Sequence, residues 1–80
     1  MWEEGNLIID GEVFEYEIKV FKEPSEFGID KGRISKLELS YVDSAGQKFV
    51  IALYDRKWLF KPKMEIAKKA VEEILLKWRK

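Results

Sequence analysis

Two arginines and a glycine-containing segment are the residues of this chain best suited to bind an anion. Arg33 follows the segment 25–32, which holds two glycines, and Arg56 lies within the segment 54–58. Guanidinium groups bind phosphate and carboxylate in bidentate fashion, and glycine allows close approach of the backbone. Lys61 and a helix start without a capping side chain would add a positive charge and unpaired N–H donors. The pattern predicts recognition of a phosphate or of a partner's carboxylates.

Residue types that most enzymatic reactions need are missing. The chain has no cysteine and no histidine, which removes thiol nucleophiles, the commonest general base and the commonest zinc ligands. Ser25 and Ser35 therefore have no histidine to activate them. Carboxylate pairs such as Glu26 with Asp55 can be drawn, but nothing in their spacing selects them, and no nucleotide-binding or calcium-loop motif is present. We predict a protein without catalytic residues, metal site or cofactor.

The overall composition is that of one folded domain. Its 80 residues are 46% hydrophobic, which suffices for a core without disulfide or metal. The net charge is zero, yet residues 1–21 carry six acidic residues and one lysine. This asymmetry indicates an anion-seeking face, a self-complementary surface for a homo-oligomer, or an ordinary mixed-charge surface. No apolar run approaches the ~20 residues of a membrane span, so we expect no membrane contact and a cytoplasmic location.

Hydrophobic periodicity predicts strands followed by one helix. Asp10-Gly11 is a strong type I′ hairpin signal, and Pro62 fits the first turn of an amphipathic helix. The predicted strands span residues 6–9, 12–21, 34–42 and 49–54. The predicted fold is α+β, a four-stranded antiparallel β-meander (6–55) with a C-terminal α-helix (62–79) packed on one face. Residues 1–80 form a single domain.

The connection 22–32 is longer than an ordinary hairpin loop. Loops of this length are usually functional or mobile. Gly28 and Gly32 are expected either to adopt positive φ or to permit close approach of the backbone.

The meander brings these separated segments to one edge of the sheet. A hairpin through the turn at 43–46 predicts that Tyr54 faces Ser35 and that Arg56 faces Arg33. By the same register Asp55 faces Ile34. Trp2, the loop and the start of the helix are expected at this edge too. The candidate binding residues are Trp2, Ser25, Glu26, Phe27, Gly28, Gly32, Arg33, Ser35, Lys36, Tyr54, Asp55, Arg56, Trp58 and Lys61.

The aromatic members of this set have two interpretations. Phe27, Tyr54 and Trp58 would offer stacking surfaces for a base or for a partner's side chain. Alternatively, Asp55 pairs with an arginine to fix the turn, while Trp58 and Phe27 close the open end of the core.

The segments 25–29, 32–37 and 54–58 together resemble a known family. It comprises short, uncharacterised bacterial proteins carried by phages, plasmids and other mobile elements, which typically have a tryptophan near the start, as Trp2 is here. Its members usually have glycine where this chain has Lys57. The resemblance covers nearly the whole chain and implies no catalytic residues. It implies a setting in which small proteins block a host defence component or sequester its signalling nucleotide.

Three functions follow as hypotheses. The first is a non-enzymatic inhibitor that docks on a host defence protein, because interface hot spots favour tryptophan, tyrosine and arginine. The second is an oligomeric protein that binds a nucleotide or second messenger. The third, nucleic-acid binding, has less support because zero net charge supplies little counterion-release affinity.

Overall fold

A computed structural model describes residues 1–78, which form one antiparallel sheet and one α-helix. The five strands are neighbours in chain order, β1-β2-β3-β4-β5. Their bounds are β1 Trp2–Ile9, β2 Glu12–Val20, β3 Ile34–Val42, β4 Lys48–Asp55 and β5 Trp58–Phe60, followed by the helix α1 Glu65–Lys77. The α+β class, the antiparallel sheet and the C-terminal helix are confirmed, whereas the prediction of four strands was wrong.

The fifth strand was missed because its turn carries no glycine or asparagine. Arg56 itself adopts the left-handed conformation, with φ of 63°. The N–H of Asp55 donates to the carbonyl oxygen of Lys57 over 2.9 Å, and Tyr54 pairs with Trp58. The chain therefore reverses within a few residues and adds a short strand. β1 was also predicted too short, since Gly5 and the acidic residues before it are unusual in strands.

The predicted register of the β3–β4 hairpin was wrong. Tyr54 faces Leu37 and Asp55 faces Lys36, so the predicted partners Ser35, Ile34 and Arg33 are displaced. The turn includes Gln47, whose carbonyl oxygen accepts from the N–H of Asp43, and the side chain of Asp43 accepts from the N–H of Gln47. A register shift next to Ser40 then moves the pairing by one further position.

The hairpin connections define two ends of the sheet. The turns at 10–11 and 43–47 share one, which we call the turn end, because Val42 pairs with both Val13 and Lys48. The connection 21–33, residue Met1 and the β4–β5 turn share the other, which we call the loop end. At the turn end Asp10 and Gly11 both have positive φ, as the hairpin signal predicts.

One face of the sheet carries the core, and the helix covers it. Alternate residues of β2 and β3 point to this face, and α1 buries one stripe against them. The largest side chains that are fully buried in this core are Phe14, Ile18, Ile34, Leu37, Leu39 and Ile74. The opposite face, which we call the open face, is not covered by any element of residues 1–78 and carries charged side chains together with exposed apolar ones such as Trp2 and Ile8.

The helix runs in the direction opposite to the prediction. Lys69, in its first half, reaches Asp10 at the turn end, and Trp78, just after its last residue, lies at the loop end beside Ile34. The helix begins at Glu65 and not at Pro62, and predicted residue 79 lies outside the described part of the chain. Over residues 1–78 the structure has no helix long and apolar enough to cross a bilayer.

Candidate functional site

The loop between β2 and β3 closes on itself through backbone hydrogen bonds. Ser25 donates its N–H to Gly32 O over 3.0 Å, and Gly28 donates to Ser25 O over 3.0 Å. A Cβ at Gly28 would lie 2.1 Å from the carbonyl oxygen of Gly32, so a side chain cannot be accommodated there. Of the two expected roles for these glycines, close approach is correct and positive φ is wrong, since φ is −77° at Gly28 and −98° at Gly32.

Left-handed backbone falls on two other residues of the loop. Asp30 and Lys31 have φ of 53° and 57°, within a single 3₁₀ turn. Such conformations cost of order 1 kcal/mol for residues other than glycine, so surrounding contacts must hold them. Sequence reasoning missed both residues because aspartate and lysine are not diagnostic of this geometry.

Phe27 connects the loop to the sheet through its backbone alone. Its carbonyl oxygen accepts a 2.8 Å hydrogen bond from the hydroxyl of Tyr54, and its N–H donates to the Oγ of Ser25 over 3.2 Å. The side chain of Phe27 is nevertheless 58% exposed. Phe27 therefore does not close the core, in contrast to one of the two sequence interpretations. Its neighbour Glu26 is exposed as well.

Tyr54 and Trp58 close this end of the core instead. Their rings meet edge to face, with centroids 5.1 Å apart, across the β4–β5 hairpin. Burial raises the pKa of the Tyr54 hydroxyl above its ordinary value, and the negative charge of Asp30 raises that pKa further. The hydroxyl is protonated at neutral pH, as an ordinary tyrosine is, and donates to the loop carbonyl. The raised pKa extends this donation to more alkaline pH.

The two arginines lie at the same end of the sheet but have different environments. The Nε of Arg33 donates to the carbonyl oxygen of Phe21 over 2.8 Å, which ties the loop's two ends together. The backbone N–H of Arg56 donates to Ser35 O over 3.1 Å, and its side chain is exposed at the tip of the β4–β5 turn. Within residues 1–78 Asp55 forms an ion pair with neither Arg33 nor Arg56. Its carboxylate lies 3.9 Å from the amino group of Lys36, its cross-strand neighbour.

Two candidate residues lie away from the loop. Lys61 follows β5 and borders an apolar depression with Ile51 and Ala67, because β5 carries the chain away from the loop end. The helix start lies there also, because its N-cap residue Met64 borders the same depression. Met64 makes no side-chain cap hydrogen bond. The expected cluster of Arg33, Lys61 and helix N–H groups is therefore not formed. Trp2 lies at the loop end on the open face, where it borders a depression that Lys36 and Asp55 also line.

A groove of about 470 Å³ separates the loop from the end of the helix. Arg33 and Lys31 line its loop side, and Leu75, Leu76 and Trp78 line its helix side. Sequence reasoning missed the helical residues because it placed the start of the helix, and not its end, at this edge. Leu76 is 60% exposed, and within residues 1–78 the buried Nε1 of Trp78 has no hydrogen-bond partner.

The serine at the start of β3 is buried, and the polar and aromatic groups that this end exposes lie on the loop and the β4–β5 turn. Ser35 is 3% exposed, and its Oγ has no partner within residues 1–78, so it lacks a base that could activate it. In the same residues no group of three or more acidic side chains is placed to hold a metal ion. What the loop end does present is a hydrogen-bonded loop with an exposed aromatic ring and two arginines.

Comparison with known proteins gives a family and nothing more specific. No curated protein and no solved structure matches the chain. One family model matches residues 1–79, which is nearly the entire sequence. The chain belongs to the family described as a domain of unknown function, DUF7678.

Proposed function

We propose that this chain is a non-enzymatic cytoplasmic binding protein that docks on another protein through its loop end. The observation that carries the proposal is Phe27, whose backbone N–H and C=O are both hydrogen-bonded while its side chain is 58% exposed. An aromatic side chain on a fixed backbone loses little conformational entropy on binding. Aromatic residues and arginines also dominate interface energetics. Phe27 is the proposed anchor, with Arg33 and Arg56 at the same end of the sheet.

The proposed partner is a host defence protein that the chain inhibits by covering part of its surface. The resemblance to proteins of phages and mobile elements supports this choice. So does the residue content, because a chain without cysteine or histidine has few means of inactivating a partner covalently. Inhibition by docking requires only a complementary surface.

The test compares two exposed phenylalanines at opposite ends of one sheet. Phe27 is 58% exposed at the loop end, and Phe49, which pairs with Tyr41 near the turn end, is 50% exposed. Tagged wild-type protein and the variants Phe27→Ala and Phe49→Ala are used to capture partners from host cells. The affinity of the purified, identified partner is then measured for each variant. We expect Phe27→Ala to weaken binding by at least 2 kcal/mol, about thirtyfold, and Phe49→Ala to leave it unchanged.

Equal affinity of both variants for the partner would contradict the proposal. Folding is checked by thermal unfolding, since a surface substitution of this kind changes stability by only about 0.5 kcal/mol. Failure to recover a stoichiometric partner from cells that carry defence systems would contradict inhibition by docking.

A nucleotide or second messenger is the alternative ligand, and nucleic acid is the second alternative. Both have less support because Lys61 lies away from Arg33, and the Nε of Arg33 already donates to Phe21 O. Calorimetry with mono-, di- and cyclic nucleotides separates these ligands from a protein partner. Heat of binding that disappears in an Arg33→Ala, Arg56→Ala double variant would favour the nucleotide over docking.

A further inference from the structure

β1 forms an edge of the sheet with a regular row of backbone groups that no other element of residues 1–78 pairs. The N–H of Val20 donates to Met1 O over 2.8 Å, and the amino group of Met1 donates to Val20 O over 3.1 Å. Met1 and Val20 are therefore a hydrogen-bonded pair of the antiparallel ladder. Such pairs recur at every second residue, and the β1–β2 ladder has no register shift. The backbone groups of Trp2, Glu4, Asn6 and Ile8 consequently point away from β2.

This edge has few of the features that usually prevent strands from associating. Proteins protect sheet edges with short strands, proline, charged side chains (lysine above all) or bulges, and of these β1 has the charged residues Glu3 and Glu4. β1 is 8 residues long and contains neither proline nor lysine, whereas the opposite edge, β5, is only 3 residues long. The four residues of β1 whose backbone groups point away from β2 are all exposed. A long, regular and uncovered edge of this kind can accept another strand.

The side chains of this edge match a second copy of the same strand. Trp2 and Ile8 are 54% and 74% exposed and lie on the same face, equally distant from Gly5. Antiparallel pairing about Gly5 places Trp2 opposite Ile8 of the second copy, so each exposed apolar side chain covers the other. Glu4 then faces Asn6 of the second copy, and no carboxylate faces another directly.

Neighbouring registers are less favourable. A shift of the strand in one direction places Glu4 opposite Glu4 of the second copy, and like charges in that position are destabilising. A shift in the other direction leaves Trp2 without a partner and places Ile8 opposite Glu4. Only the register centred on Gly5 pairs apolar with apolar residues while keeping the carboxylates apart.

We propose that two copies of the chain associate through β1, antiparallel and centred on Gly5, to form one continuous sheet. The association uses the β1 edge and does not involve Phe27, so it is independent of the proposed docking function. The residues that exchange hydrogen bonds across the twofold axis are Trp2 with Ile8 and Glu4 with Asn6.

Cysteine cross-linking tests both the dimer and its register, because the natural chain has no cysteine. In a hydrogen-bonded antiparallel pair the Cα atoms are about 5.5 Å apart, which suits a disulfide. We expect a mixture of Glu4→Cys and Asn6→Cys proteins to form a mixed disulfide rapidly in a glutathione buffer. The control is Ser44→Cys, whose thiol would lie in the 43–47 turn, and we expect it to cross-link to itself much more slowly. Self-cross-linking of Glu4→Cys or Asn6→Cys faster than the mixed product would overturn the register. A mixed product no faster than the Ser44→Cys control would overturn the interface.

Removal of one outward N–H gives a second test that does not depend on cross-linking. Asn6→Pro loses an N–H that points away from β2 and has no acceptor in the sheet of residues 1–78, while Asn6→Ala keeps it. Sedimentation at high micromolar concentration should show dimers for the wild type, Asn6→Ala and Phe27→Ala, and a dimer at least about tenfold weaker for Asn6→Pro. If Asn6→Pro does not fold, Ile8→Lys replaces it with the same expectation. Monomeric wild type, or equal dimer affinity for all variants, would overturn the proposal.

Discussion

Tyr54 and Phe27 lie 27 positions apart in the chain, yet the hydroxyl of one donates a 2.8 Å hydrogen bond to the carbonyl oxygen of the other. This bond attaches the loop between β2 and β3 to β4, two strands along the sheet. The loop is otherwise held by bonds within itself, by the contact between Arg33 and Phe21 O, and by the Ile29 side chain, which is buried in the core. The hydroxyl of Tyr54 provides the sheet's side-chain hydrogen bond to the residue that carries the exposed Phe27 ring.

The first prediction concerns that bond. Tyr54→Phe keeps the ring against Trp58 but leaves the Phe27 carbonyl without its donor, so we expect the free energy of unfolding to fall by about 1–2 kcal/mol. Amide exchange in residues 25–32 should become faster, because the loop loses its attachment to β4. Hydrogen–deuterium exchange with mass spectrometry measures this.

Tyr41→Phe is the matched control for the loop measurement. Its hydroxyl donates to Glu12 near the turn end, so the substitution should leave exchange in residues 25–32 unchanged. Loop exchange that is the same in Tyr54→Phe and in the wild type would show that the loop's internal bonds are sufficient.

The second prediction concerns alkaline pH. Burial and the charge of Asp30 raise the pKa of Tyr54 above its ordinary value of 10.0 in the folded state. Above pH 10 the unfolded chain releases this proton while the folded chain retains it, so stability falls as pH rises from about 10 toward the folded-state pKa. Denaturant unfolding between pH 8 and 11 should show a smaller loss of stability for Tyr54→Phe than for the wild type. Identical loss in both proteins would assign the alkaline effect to other groups.

The third prediction separates the two loop glycines. A Cβ at Gly28 would lie 2.1 Å from Gly32 O, whereas a Cβ at Gly32 would lie 3.0 Å from Ile29 O. Both residues have negative φ, so the difference is steric and not conformational. We expect Gly28→Ala to destabilise the protein by about 1–3 kcal/mol and Gly32→Ala by clearly less. Equal effects in thermal unfolding would contradict the closed loop geometry.

The fold could be predicted as far as local patterns report it. Asp10-Gly11 and the alternation along β2 and β3 are strong signals, and they correspond to the observed hairpin and strands. β5 gives no such signal, because a three-residue strand has no measurable period and the left-handed residue of its turn is Arg56, not a glycine or asparagine. A prediction that omits β5 also gives the wrong direction for the helix. Each antiparallel strand carries the chain from one end of the sheet to the other, so one missing strand makes the helix start at the wrong end.

The candidate site was predicted correctly only for the residues that come before β5. The loop, Tyr54 and both arginines depend only on the β2–β4 meander, and the structure brings them to one end. Lys61 and the helix start lie beyond β5, so their predicted place was wrong. Leu75, Leu76 and Trp78 occupy that end because the helix finishes there. The number of strands before a residue determines which end of the sheet it reaches. That number, and not the residue's own chemistry, determines whether it lies at the site.

The last prediction concerns a row of like charges on the open face. Glu17 of β2 lies directly opposite Glu4 of β1 and Glu38 of β3, in an arrangement that is destabilising in antiparallel sheets. Glu17→Gln should therefore raise the free energy of unfolding by about 0.5–1 kcal/mol at low salt, and by less at 1 M salt, where charges are screened.

Glu26→Gln is the matched control, because it changes the net charge equally but lies in the loop without a cross-strand neighbour. Equal effects of the two substitutions would assign the change to net charge and not to the row. A gain specific to Glu17→Gln would mean that this row opposes folding. Because one substitution is enough to remove the repulsion, a row that lowers stability would then be explained by a role of these carboxylates in contacts made by the open face.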